Sequence, residues 1–133
     1  MNSILVVDDE IDTLHLLAMM LELSGMRPVT TAYAVDAIPL AETERVSCAL
    51  VDIMMPQIDG FTLCKMMRLH PATMDLPIIF ITAYTARDLH ERSREAGADL
   101  VLPKPLGMDS LIRNIERAIQ TRAMNASLNQ IGK

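Results

Sequence analysis

Short, unbroken apolar runs alternate along the chain with longer segments in which apolar side chains recur every three or four residues. The runs are Ile4-Leu5-Val6-Val7, Cys48-Ala49-Leu50-Val51, Pro77-Ile78-Ile79-Phe80-Ile81 and Leu100-Val101-Leu102, with a weaker one at Pro28-Val29-Thr30-Thr31. Continuous rather than alternating runs suit strands covered on both faces. Residues 12–24 carry Leu14, Leu17, Ala18 and Leu21 on one helical face, and Gly25 reads as a stop. Residues 34–45 carry Val35, Ile38 and Ala41, but Pro39 falls among them. Proline in a helix interior costs about 3 kcal/mol, so this helix is expected to be short, bent or late to start. Residues 60–69 carry Phe61, Leu63, Cys64 and Met67 and end before Pro71. Residues 86–96 end at Gly97 and are nearly all polar, with only Ala86, Leu89 and Ala96 for apolar contact. So little burial predicts one of the more mobile elements. Residues 109–123 begin at Asp109 or Ser110, both good N-caps, and carry Leu111, Ile115, Ala118 and Ile119. Strand and helix alternate five times, the pattern of a parallel sheet with helices on both faces.

Ligands of such sheets bind at the carboxyl ends of the strands. Here the first run leads into Asp8-Asp9-Glu10, the third ends in Asp52, the fourth in Thr82-Ala83, and the fifth in Pro103-Lys104-Pro105. The fold would gather Asp8, Asp9, Asp52, Thr82 and Lys104 on one edge. Two unit charges 4 Å apart interact by ~4 kcal/mol at an effective dielectric of 20, so clustered carboxylates need a counter-charge. A hard divalent cation with oxygen ligands fits, and Mg²⁺ is the natural choice because it uses few carboxylates and keeps its waters. Lys104 adds a point charge for an anion, and Thr82 adds a hydroxyl. Together these parts make a phosphoryl-transfer site, where catalysis is positioning and charge neutralisation. Asp52, alone at its strand end, is the candidate nucleophile; Asp8 and Asp9 suit the metal. Each piece alone would read as a turn, a cap or a surface loop, and the signal lies in their conjunction.

Composition narrows the field. The chain has 133 residues, enough for one domain; half are hydrophobic and 22% charged. A net charge of -5 and a pI near 5.1 argue against direct nucleic-acid binding. No apolar run approaches the ~20 residues of a membrane span. The N-terminus has no basic segment before its apolar run, unlike a signal peptide, and a cytoplasmic protein is expected. Cys48 and Cys64 lie in apolar stretches, which disfavours a disulfide scaffold or a cysteine metal site. Met19-Met20, Met54-Met55 and Met66-Met67 read chiefly as core filler, the rival being a Met-rich docking surface. His15, His70 and His90 lack metal-ligand spacing and read as surface or helix residues.

These residues match a family. The chain resembles the receiver domain of two-component response regulators, of the chemotaxis-regulator type. The resemblance rests on Ile4 to Glu10, Leu50 to Pro56 with Asp59-Gly60-Phe61, Pro77 to Ala83, and Ala96-Gly97-Ala98-Asp99 leading into Pro103-Lys104-Pro105. It covers roughly residues 3–120. It implies a flavodoxin-like, doubly wound, five-stranded parallel sheet in order 2-1-3-4-5 with five helices, a three-layer α/β/α fold. It also implies that Asp52 accepts a phosphoryl group from a phosphohistidine on a sensor histidine kinase or phosphotransfer protein. Asp9 would ligate Mg²⁺ directly and Asp8 through water, with Asp52 and the Met54 backbone carbonyl as further ligands. Thr82 would hydrogen-bond the phosphoryl group, and Lys104 would pair with Asp52 before phosphorylation and with a phosphoryl oxygen after it. A cis bond between Lys104 and Pro105 is implied too, as is a loop-ending role for Gly60.

There is one departure. Where the family usually has an aromatic residue coupled to the threonine, this chain has Val101. A ring rotation there cannot be the switch, so the signal is expected to pass through Thr82 and the weakly packed fourth helix. Tyr84 lies where the family's side chain covers the phosphoryl group, and with Met54 it is expected to restrict attacking water. The output face implied is the fourth helix, fifth strand and fifth helix, for a downstream effector protein, a missing effector domain or a homodimer. Residues 1–123 are expected to form the receiver domain and 124–133 a tail, either a helix extension or disordered. The domain is expected to be a signalling module, no enzyme beyond its own phosphoryl transfer and autodephosphorylation. Its rivals are a degenerate receiver acting only as a binding module and an Asp-nucleophile phosphatase. The latter usually needs a second Asp two residues after the nucleophile, where Met54 stands.

Overall fold

The structure, a computed structural model, describes residues 1–131. Five strands, β1 (Ser3–Val7), β2 (Arg27–Thr31), β3 (Cys48–Val51), β4 (Ile78–Thr82) and β5 (Leu100–Pro103), form one parallel sheet in order β2-β1-β3-β4-β5. The helices are α1 (Ile11–Leu23), α2 (Ala37–Thr43), α3 (Gly60–Leu69), α4 (Leu89–Ala96) and α5 (Met108–Ile131). The unbroken apolar runs are explained by two cores. Leu5 and Val7 of β1 point to one face, with residues of α2, α3 and α4; Ile4 and Val6 point to the other, with α1 and α5. Alternate strand residues feed opposite cores, so every position of a central strand must be apolar. Among the described residues no helix is long and apolar enough to cross a membrane.

Several boundaries differ from the sequence expectation. A 3-10 turn over Ala34–Asp36 precedes α2, which places Pro39 in the first turn of the helix. There its missing N–H would be unpaired anyway, and the late start avoids a kink. α4 begins at Leu89, three residues after Ala86. Its inner face is Leu89, Ser93 and Ala96, with the Ser93 hydroxyl donating to the Leu89 carbonyl at 2.7 Å. The Arg92 guanidinium adds a cation–π contact 4.2 Å from the Phe61 ring centre. α5 runs without a break past residue 123, and residues 132–133 of the expected tail lie outside the described residues. Core filling describes one member of each pair, since Met67 is fully buried and Met20 and Met55 pack partly buried against the cores; Met19, Met54 and Met66 are exposed. Cys48 and Cys64 are buried free thiols, and burial pushes Cys64 up to about 11 and Cys48 higher still. His15 and His90 are exposed, and His70 caps the end of α3.

The loop after β3 is held tightly. The Asp59 side chain accepts the Thr62 N–H at 2.8 Å, capping α3. The Gly60 N–H donates to the Ile53 carbonyl at 2.8 Å. Space rather than φ requires this glycine, because a Cβ there would sit 2.5 Å from the Asp52 carbonyl oxygen and 2.7 Å from the Ile53 Cα. At the opposite edge of the sheet, the Arg68 guanidinium donates to the carbonyls of Leu76 at 2.6 Å and Gly97 at 2.9 Å and pairs with Asp99 at 3.1 Å. Asp99 also accepts Arg122 of α5 at 2.9 Å. Gly60→Ala is expected to destabilise the domain by about 2 kcal/mol or more, since backbone has to move. Equilibrium urea unfolding measures it, and a loss below half that amount would show that the loop yields freely.

Candidate functional site

Four of the five strand ends, those of β1, β3, β4 and β5, deliver one functional side chain each to the same edge. Asp8 follows β1 and is buried, with its N–H donating to the Thr31 carbonyl at 3.2 Å. Asp52 follows β3 and is buried, with its N–H donating to the Val7 carbonyl at 2.9 Å. Thr82 closes β4 and is buried, and its carbonyl accepts the Lys104 N–H at 2.9 Å. The Lys104–Pro105 bond is cis.

The lysine ammonium is the centre of the site. Lys104 Nζ lies 2.8 Å from Asp8 Oδ2, 3.4 Å from Asp52 Oδ2 and 3.7 Å from Glu10 Oε1. Its nearest partner is therefore Asp8, whereas the resemblance implied Asp52. Carboxylate oxygens of Asp8, Glu10 and Asp52 come within 4.8 Å of one another. Asp9 is not among them. It is exposed and lines a cleft of about 420 Å³ with Ile11, Tyr33, Val35, Met55 and Ile58. Glu10 was the residue the sequence reading passed over. Its backbone is extended, φ −89° and ψ 112°. Its N–H is held by Asp8 Oδ1 at 2.9 Å, which seats Glu10 beside Asp8, while Asp9 stands exposed at the bend between them.

The two buried aspartates differ in how fully they are engaged. Asp8 uses both oxygens in short bonds, Oδ2 with Lys104 and Oδ1 accepting the Glu10 N–H at 2.9 Å. Asp52 has only long contacts, with Oδ1 accepting the Met54 N–H at 3.4 Å and Oδ2 at 3.4 Å from Lys104. Thr82 Oγ1 accepts the Tyr84 N–H at 3.0 Å. The Tyr84 ring is half-buried and meets Phe61 edge-on, with centres 6.4 Å apart, and Phe61 meets Phe80 in the same way at 5.6 Å. Val101 is half-buried and packs on the same apolar cluster as Tyr84 and Leu89. Met54 is exposed beside Asp52.

Electrostatics follow from this crowding. Burial first, then the Asp8 charge, push the Asp52 carboxyl up to about 6, against the pull of Lys104. Burial works to lower the Lys104 ammonium, but the hydrogen bond to Asp8 and the surrounding carboxylates outweigh it and raise it. With all three acids ionised, three negative charges face one positive charge. A carboxyl with a folded pKa above its unfolded value binds its proton more tightly when folded. Ionising Asp52 therefore costs nothing below about pH 4, costs more as pH rises toward 6, and costs its full amount above that. Without divalent cations, Asp52→Asn is expected to stabilise the domain by about 2 kcal/mol near pH 8 and by almost nothing near pH 4. Urea unfolding at the two pH values checks this; an equal effect at both would contradict it.

Comparison with known proteins agrees with this geometry. Residues 4–116 match the family described as the response regulator receiver domain. Over 126 residues the chain is 33% identical to the heme response regulator HssR of Staphylococcus haemolyticus, covering 95% of this chain and 55% of that protein. This chain thus spans about half the length of that relative. The fold superimposes on the chemotaxis protein CheY4 of Vibrio cholerae with a TM-score of 0.83 at 26% identity, covering 89% of this chain and 98% of that one. It also matches the receiver domain of the sensor histidine kinase PA1611 of Pseudomonas aeruginosa, with a TM-score of 0.81 at 28% identity, covering 90% and 98%. In that protein a magnesium ion is coordinated in the active-site cleft. A parallel sheet in order 2-1-3-4-5, an acid cluster facing one lysine at its carboxyl edge, and these likenesses place the chain among the response-regulator receiver domains of two-component signalling.

Proposed function

We propose that this receiver domain is a phosphorylation-activated switch in which Asp52 takes a phosphoryl group from a phosphohistidine on a sensor histidine kinase or phosphotransfer protein. The observation that carries the reading is the charge imbalance: Asp8, Glu10 and Asp52 converge on Lys104 in a largely buried edge. A hard oxygen-donor set with surplus negative charge fits Mg²⁺. Asp8, Asp52 and the Met54 carbonyl would hold it, with Glu10 beside them; Asp9, exposed and adjacent, would join by turning its side chain. Mg²⁺ bound there would neutralise charge on the transferring group.

The chain's own residues divide the work. Of the two buried aspartates, Asp52 is the nucleophile because its oxygens are the less committed, while both oxygens of Asp8 are held. An Asp52 oxygen bonds to phosphorus as the nitrogen–phosphorus bond of the donor breaks, and the imidazole nitrogen keeps the electron pair. Lys104 then pairs with a phosphoryl oxygen. Thr82 Oγ1 already accepts the Tyr84 N–H, so its own proton is the one to offer the phosphoryl group. Tyr84 and Met54 limit the approach of water that would release the group again, which is the domain's autodephosphorylation. The domain is thus a signalling module rather than an enzyme with a separate substrate.

Output follows the packing. Movement of Thr82 carries the Tyr84 backbone with it; Tyr84 touches Phe61, and Phe61 lies under Arg92 of α4. This route takes the place of an aromatic switch at Val101. α4, β5 and α5 form the face for an effector protein, an effector domain or a second copy. The kinase partnership places the domain in the cytoplasm.

Two experiments test the reading. With Mg²⁺ and a small-molecule acyl-phosphate donor, intact mass is expected to rise by one phosphoryl group on wild type. Asp52→Asn is expected to take none, and chelating the metal to abolish the adduct; an adduct of equal yield on Asp52→Asn would overturn the assignment. Hydrogen exchange across Leu89–Ala96 is expected to change on phosphorylation, and Phe61→Leu to suppress that change while leaving the adduct yield intact. Unchanged protection of wild-type α4 would contradict the route through Thr82.

A further inference from the structure

α4 is held very unequally at its two ends. Its start, next to the phosphoacceptor edge, is weakly tied. Asp88 stands at the N-cap position but makes no side-chain capping bond. In the loop before it the bonds are local, with the Tyr84 N–H donating to Thr82 Oγ1 at 3.0 Å and the Leu89 N–H to the Ala86 carbonyl at 3.1 Å. The residues this helix buries fully, Ser93 and Ala96, both lie in its second half. A segment with little burial and local bonds opens more easily than one tied to several elements.

The other end is knotted to the domain. Gly97 turns the chain left-handed, φ 101°, and the Gly97 and Ala98 N–H groups donate back to the Arg94 and Ser93 carbonyls at 3.0 Å each. The Gly97 carbonyl accepts Arg68 Nε at 2.9 Å, and a Cβ on Gly97 would sit 2.8 Å from Arg68 Cγ, so the arginine fills the space a side chain would take. Asp99, two residues on, accepts three donors. Its Oδ2 takes the Ile78 N–H at 2.8 Å and Arg68 at 3.1 Å, and its Oδ1 takes Arg122 of α5 at 2.9 Å. Arg68 Nη1 also donates to the Leu76 carbonyl at 2.6 Å. The end of α4 is thereby tied to α3, to the strands β4 and β5 and to α5. Two guanidinium groups share one carboxylate, so the network depends on the charge of Asp99.

We propose that α4 is a lever hinged on the Arg68–Asp99–Arg122 network, so that phosphorylation moves its first half and leaves its second half, the start of β5 and α5 in place. The phosphorylation-dependent part rests on Asp52 being the acceptor. The contacts from Tyr84 through Phe61 end on Arg92, short of the anchored half. Arg68 and Asp99 are then positioning residues for the output. The exposed surface of α4 is divided accordingly. A partner that distinguishes the two states must touch Asp88, His90 and Glu91, whereas one seated on Arg94, Glu95 and α5 binds both states alike.

Distances between paired spin labels on the full chain test this. Cys48 and Cys64 are buried, so labels go to introduced thiols. His15→Cys on α1 carries one label, and His90→Cys or Glu95→Cys, on the two halves of α4, carries the other; all three positions are exposed. Without phosphorylation, the distance to position 90 is expected to be more broadly distributed than the distance to position 95. Asp99→Asn, checked for folding by circular dichroism, is expected to broaden the second to match the first, and Arg122→Gln, which leaves Arg68 on Asp99, to broaden it less. With Mg²⁺ and an acyl-phosphate donor, the distance to position 90 is expected to shift by about 2 Å while that to position 95 stays. In Asp99→Asn both are expected to shift, which a merely stabilising network would not produce. Equal widths at rest, or an adduct with equal shifts or none at the two positions, would overturn the proposal. Absence of an adduct by intact mass would count against Asp52 as acceptor, and the widths at rest would still decide whether the network anchors α4.

Discussion

Lys104 holds together three carboxylates that would otherwise repel one another. Its ammonium touches Asp8 and reaches Asp52 and Glu10, and its backbone N–H is fixed to the last carbonyl of β4. One positive charge cannot balance three negative ones, and although water reaches Glu10, burial keeps it from making up the difference at Asp8 and Asp52. The strained electrostatics are visible in Asp52, whose carboxyl holds its proton up to about pH 6. A site built this way has an appetite for a cation and, once a cation is present, for an anionic group between it and the lysine.

The rest of the domain makes that imbalance tolerable. Every central strand is apolar on both faces, and two separate cores grip the sheet from either side. The crowded edge can thus be unfavourable without unfolding the chain. Local devices then fix the loops. Gly60 lets α3 approach the Asp52 backbone, Asp59 caps the helix that begins there, and Arg68 ties four elements together at the far edge. None of these touches the site chemistry, yet Gly60 and its cap limit where the Asp52 backbone can sit.

Much of this was legible in the residues. Continuous apolar runs mark strands buried on both faces, and the acids, Thr82 and Lys104 stand where those runs end. The helix count came from the alternation of these runs with helical segments and the sheet order from the resemblance these residues carry, and the structure has both. What periodicity could not give were features set by three-dimensional contact. Glu10 joins the cluster through its backbone bond to Asp8, while Asp9 faces a cleft. α4 looked almost uncovered, because a polar residue, Arg92, makes its contact through a π face. Tyr84 was expected to cover the phosphoryl group, and its contact with Phe61 was not legible from its place in the loop after β4. The methionine pairs read as filler, but helical and loop geometry turns one member of each outward.

The account stands or falls on which atom accepts the phosphoryl group. An acyl phosphate on an aspartate is reduced by borohydride to homoserine, which marks the acceptor permanently. After incubation with Mg²⁺ and an acyl-phosphate donor, reduction and peptide mass mapping should place homoserine at position 52 alone. Homoserine at position 8 or 9 instead, or a phosphoryl group found on a hydroxyl or imidazole side chain, would contradict it.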